Sequence, residues 1–147
     1  MSVSVQSATD IAAPVMEVME VIADVESLPE WSDAHKAVEI RETDEEGWPT
    51  LVWSKISQFG VADEMLVRYE WYEGEVSWTL AEPSGSQKEQ NARYTLTDNG
   101  DGTTHVVFDL EVELKIKLPG MIVKKGQKVV ADTATRGLKQ EVERRQG

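Results

Sequence analysis

Apolar and polar residues alternate from the start of the chain. Val3, Val5, Ser7, Thr9 and Ile11 share one side, a period of two that predicts a strand. Pro14 then opens a short helix, because its fixed φ suits a first helical turn. In Asp24-Val-Glu-Ser-Leu-Pro29-Glu-Trp31 the proline disfavours helical geometry at Leu28, so one helix ends and a second short one begins across a bend. From His35 to Leu114 the period stays near two. Turn signals at Glu46-Gly47-Trp48-Pro49, Phe59-Gly60, Glu73-Gly74, Pro83-Ser84-Gly85 and Asn99-Gly100-Asp101-Gly102 divide this region into about six strands with short connections, the pattern of an antiparallel meander.

These strands have a dry and a wet face. Met65, Val67, Tyr69 and Trp71 fall on the dry face of one, Val76, Trp78 and Leu80 on that of the next, and Ala92, Tyr94 and Leu96 on that of another. In the last strand Val106, Phe108, Leu110, Val112 and Leu114 alternate with His105, Asp109, Glu111 and Glu113. The register of the stretch from Leu51 to Phe59 is not fixed by its pattern. From Pro119 to Arg145 the period becomes helical. Ile122, Val123, Gly126, Val129, Val130, Thr133, Ala134, Gly137 and Leu138 gather on one face and Lys124, Lys125, Lys128, Asp132, Arg136 and Lys139 on the other, so this helix covers the sheet. Gly126 and Gly137 lie at the centre of the apolar face beside Thr133, and each glycine costs roughly 1 kcal/mol against alanine. That face either packs closely on the sheet or leaves room for a ligand.

Composition narrows the reading. At 147 residues, 40% of them hydrophobic and 29% charged, the chain suits one well-cored domain spanning residues 1–147. It has no cysteine, which excludes disulfides, thiolate metal sites and a cysteine nucleophile and fits a cytoplasmic setting. Met1 to Ala13 lacks the basic start and the apolar run of a signal peptide or anchor. The net charge of −12 argues against nucleic acid as a partner. That charge is uneven, because Lys115, Lys117, Lys124, Lys125 and Lys128 cluster with no acid between Leu114 and Ala131. They flank the apolar run Leu118-Pro-Gly-Met-Ile-Val123 and, near a helix start, oppose the helix dipole. The cluster is either a solvated face or a transient contact for an anionic membrane or headgroup.

The order of elements, with Asp24-x-x-x-Leu-Pro-x-Trp31, Val76-Ser-Trp78 and Leu118-Pro-Gly120, resembles the polyketide cyclase/START-like superfamily (SRPBCC), whose helix-grip fold is shared with the birch-pollen allergen family. The resemblance covers essentially the whole chain. It implies an α+β fold in which a curved seven-stranded antiparallel sheet wraps a long C-terminal helix, with two short helices after the first strand. It also implies a cavity between sheet and helix for lipids, polyketides, quinones or similar molecules. Activity differs among members, so the fold does not decide between binder and enzyme.

On this reading the cavity walls are Met65, Val67, Tyr69, Trp71, Trp78, Tyr94, Phe108 and Leu110 from the sheet, with Ile122, Gly126, Val129, Val130, Thr133 and Gly137 from the helix. His35, Lys124 and Lys125 stand at the mouth. Trp31 and Trp78, lying in the architectural motifs, favour structural roles. Catalysis has little to work with. His105 falls on the wet face, His35 favours a surface or structural role, and the arginines open to a cyclase mechanism, Arg68 and Arg93, fall on the polar face unless a bulge shifts the register. No metal-ligand spacing occurs, and no cofactor is implied. The expectation is a carrier of a hydrophobic small molecule. A cyclase or dehydratase and a protein-interaction module using the same groove are the alternatives, replacing Tyr94 by Phe in a carrier should change affinity alone, and the oligomeric state is left open.

Overall fold

The computed structural model describes residues 1–146. Strand β1 (Ser2–Ile11) is followed by α1 (Val15–Ala23), a 3-10 turn (Val25–Ser27) and α2 (Leu28–Trp31). The meander runs through β2 (His35–Thr43), β3 (Pro49–Gln58), β4 (Val61–Tyr72), β5 (Glu75–Leu80), β6 (Gln87–Asp98) and β7 (Thr104–Leu114). All seven strands join one antiparallel sheet in the order β1-β7-β6-β5-β4-β3-β2, so β1 returns to pair with β7 and only β1 and β2 are edges. The C-terminal helix lies against this sheet in the helix-grip arrangement.

Two elements differ from expectation. Leu28 is helical (φ −50°, ψ −41°) although it precedes Pro29. The proline stands in the first turn of α2, where its missing N–H costs nothing, and the chain bends earlier, at Asp24 (φ −79°, ψ 61°). The C-terminal helix is also not uniform: α3 (Gly120–Asp132) passes through a π-helical segment (Thr133–Gly137) into α4 (Leu138–Gln146). The wider π turn changes the phase of the apolar face. Beyond it Leu138, Glu141 and Val142 are buried, whereas α3 buries no residue fully. The buried Glu141 carboxylate is held by Arg144 (2.6 Å) and Arg145 (2.8 Å), which keep it below the usual carboxylate range against the cost of burial.

The core lies at the end of the molecule where α1 and α4 meet the sheet, around Ile11, Val18, Val25, Val76, Val106, Leu138 and Val142. Thr104 closes it, with its hydroxyl donating to the Ala13 carbonyl at 2.7 Å. The helix is thus anchored through its second half, and its first half spans a gap.

Candidate functional site

That gap is a cavity of about 360 Å³, within the range of small-molecule sites. The dry faces of β4 to β7 supply Met65, Val67, Tyr69, Trp78, Tyr94, Phe108 and Leu110, and the helix supplies Ile122, Gly126, Val129, Val130 and Thr133. A Cβ added to Gly126 would meet nothing within 4 Å, so this glycine faces the open space of the cavity. The aromatic rings form a continuous row across the sheet. Tyr69 stacks between Trp71 (5.6 Å) and Trp78 (5.1 Å), and Trp78 leans on Tyr94 (5.9 Å) and Phe108 (6.1 Å).

Other side chains stand elsewhere than the sequence suggested. Trp71 does not line the cavity; its ring packs on Trp48 at 5.0 Å, its indole N–H donates to the Pro49 carbonyl at 2.6 Å, and the pair closes the far end of the sheet. Gly137 does not line it either. Its hypothetical Cβ would meet the Trp31 ring at 3.5 Å, an ordinary van der Waals contact, so this glycine packs against Trp31 and not onto open space. Lys124 and Lys125 are exposed and outside the lining. Trp31, read as architectural, does line the cavity, and its buried Nε1 has no hydrogen-bond partner among the described residues. The Tyr94 hydroxyl donates to the Ala134 carbonyl at 2.7 Å, inside the π segment. Replacing Tyr94 by Phe therefore removes a pin between sheet and helix and affects stability as well as affinity.

Several lining groups escaped the sequence reading. In β3, Val52, Ser54, Ile56 and Gln58 face inward, and β1 adds Val3 and Val5. Gln90 faces inward too. It shares parity with Ala92, Tyr94 and Leu96, so running that alternation back by one step finds it. Its Oε1 accepts the Trp78 indole N–H at 2.9 Å, and its Nε2 donates to Gln87 Oε1 at 2.8 Å. The neighbouring connection between β5 and β6 is tied down by Asp63, whose carboxylate accepts from the Ser84 hydroxyl (2.6 Å) and from the Gly85 and Ser86 N–H groups (both 3.0 Å). Burial pushes the Asp63 carboxyl up, but these hydrogen bonds outweigh it and hold the group below its ordinary range.

His35 lines the cavity as well, its Nδ1 2.7 Å from the Ser32 hydroxyl. Burial pushes its pKa down to about 4, so the ring is neutral at pH 7. The unfolded chain, titrating near 6.5, takes up this proton first as pH falls. His35 therefore costs no stability above about pH 6.5, and stability is lost from there down to about pH 4, by roughly 2–3 kcal/mol in total. Urea unfolding of the wild type and of His35→Gln at pH 7 and pH 4.5 measures this: the acid loss should shrink by most of that amount in the variant. His105 sits on the outer face, 2.9 Å from Asp10. Arg68 and Arg93 are exposed, no register shift occurs at either, and Arg93 lies 3.8 Å from Glu75.

A curved antiparallel sheet closed by a C-terminal helix over an apolar cavity is the helix-grip fold of the START-like class. The chain belongs to the polyketide cyclase/dehydrase and lipid transport family, whose model matches residues 11–139. Solved structures share the fold. A START superfamily protein from Mycobacterium smegmatis superposes with a TM-score of 0.84 at 22% identity, over 96% of this chain and 97% of that one. An aromatase/cyclase from Streptomyces gives 0.77 at 16% identity, over 100% and 97%. A protein from Thermus thermophilus gives 0.79 at 21% identity, over 98% and 99%. Among curated proteins no sequence relative is found.

Proposed function

We propose that this chain works as one unit, residues 1–147, that binds and carries an apolar small molecule. The observation that supports this most is the cavity itself, about 360 Å³, walled mostly by aliphatic and aromatic side chains and by no charged one. The cyclase alternative has weaker support, because Arg68 and Arg93 lie on the outer face and His35 is a feeble base with a pKa near 4. The interaction-module alternative asks for a protein segment in the same groove. Titration with the uncharged fluorophore Nile red tests the carrier reading: a saturable blue shift with one site per chain supports it, and emission unchanged from buffer rejects it.

The carrier would meet a membrane at the cavity's open end. There Phe59 is the exposed member of the lining (42%), and Met121 stands 72% exposed on the first turn of α3. Phe59 has φ 51°, left-handed backbone that usually favours glycine or asparagine, so an aromatic residue is kept at the tip of the β3–β4 turn at some cost. Lys115, Lys117, Lys124, Lys125 and Lys128 make no ion pair among the described residues, which leaves their charge available to anionic lipid. Among the described residues no helix is long and apolar enough to cross a membrane. Contact would then be peripheral, in keeping with a cytoplasmic carrier. Vesicles rich in phosphatidylserine should retain the protein at low salt and release it at high salt, and Lys124→Glu/Lys125→Glu should weaken retention by about tenfold or more. Equal retention of the variant would reject this docking mode.

A further inference from the structure

Nearly a third of the chain is charged, yet no Asp, Glu, Lys or Arg lines the cavity. Its titratable groups are His35, Tyr69 and Tyr94. Burial keeps His35 neutral at pH 7 and pushes both tyrosine hydroxyls up, away from ionisation. A carboxylate or phosphate drawn inside would lose its hydration and find no cation in return, which is among the most costly transfers a binding site can impose.

The cavity still offers polar atoms. Tyr94 and Trp78 are already bonded to protein, but the Tyr69 hydroxyl has no partner among the described residues. Tyr69 is only 8% exposed, and the surface it retains opens on the cavity. Along β4 it lies eight residues from Val61 at the open end, about 25 Å of strand, and next to the Trp48–Trp71 pair that closes the other end. Other side chains of the lining also make no hydrogen bond among the described residues: the Ser54 and Thr133 hydroxyls, the Gln58 amide and the buried Trp31 indole N–H. Each of them can donate to a neutral oxygen.

We infer that the cavity selects an uncharged ligand, apolar along most of its length, whose inner end carries a hydroxyl or carbonyl oxygen hydrogen-bonded to the Tyr69 hydroxyl. This rests on the carrier reading and narrows it, because it excludes fatty-acid-like anions as buried cargo. An ionised ligand has one other way in. It could leave its charge at the open end beside the rim lysines and insert only its tail, in which case charge would not weaken binding.

Displacement of Nile red at about pH 8 by decane, decanol and decanoate separates these cases. Decanol should compete, decanoate at least about 100-fold less well. Tyr69→Phe should weaken decanol by about tenfold and leave decane unchanged. Decanoate within tenfold of decanol would overturn the inference in favour of a charge held at the rim, as would a Tyr69→Phe effect equal for decane and decanol. Absence of Nile red uptake by the wild type would instead remove the carrier reading beneath it.

Discussion

Gly126→Trp should abolish uptake of an apolar ligand, with Nile red affinity falling by at least about 100-fold, while the protein stays as stable as the wild type. The side chain would grow from a point on α3 where nothing stands within 4 Å, into a cavity of about 360 Å³. A tryptophan brings roughly 150–250 Å² of apolar surface and would take the place of the cargo. Removing a mid-helix glycine also gains up to about 1 kcal/mol of helix propensity, which offsets local crowding. Thermal unfolding and Nile red titration on the same preparation measure both effects. A variant that unfolds early would mean that Gly126 sits against packed neighbours. One that binds Nile red normally would mean that ligand does not use the space under α3.

Leu138→Ala should have the opposite profile. Leu138 is fully buried just after the π segment, where the helix is anchored against the core, and truncating such a leucine costs about 2–5 kcal/mol. For a chain of this size the melting temperature should drop by on the order of 10 °C. Val129→Ala, in the half of the helix that spans the cavity, should cost well under half as much, since Val129 has the cavity on one side. Equal losses at the two positions would show that the helix is packed evenly along its length and that its first half does not span a gap.

The difference between the two halves of the helix was the part of the fold that the sequence concealed. A helical wheel at a constant angle per residue places Gly126, Thr133 and Gly137 on one line and cannot anticipate the π turn at Thr133–Gly137 that breaks the phase. Gly126 consequently faces the cavity and Gly137 faces Trp31. The strands were more legible, because alternation survives wherever one face is wet: Met65, Val67 and Tyr69, and likewise Phe108 and Leu110, fall on the cavity side as their parity required. In β3 both parities carry large apolar residues. Trp53 on the outer face is held by Glu64 (3.2 Å) and covered by Arg41 (5.6 Å), while Val52 and Ile56 face inward, so hydrophobicity alone gave no register. Trp71 shows the limit of parity reasoning. It lies on the dry face of β4, but position along the strand, which alternation does not encode, puts it beyond the cavity's end.

Polar contacts were the least legible layer. The bond from the Tyr94 hydroxyl to Ala134 joins residues 40 apart in sequence, and the unpartnered Tyr69 hydroxyl is defined by what fails to approach it. Together they assign the two tyrosines different work: Tyr94 fixes the helix to the sheet, and Tyr69 faces the cavity.

The presence of a cargo is what native mass spectrometry reads most directly. Wild type and Gly126→Trp would be incubated with a total lipid extract, repurified and sprayed under non-denaturing conditions. The wild type should carry one small molecule per chain, released as a neutral species on collisional activation, and the variant should appear as the bare chain. Bare chain in both samples, or the same adduct on both, would contradict a carrier function for the cavity.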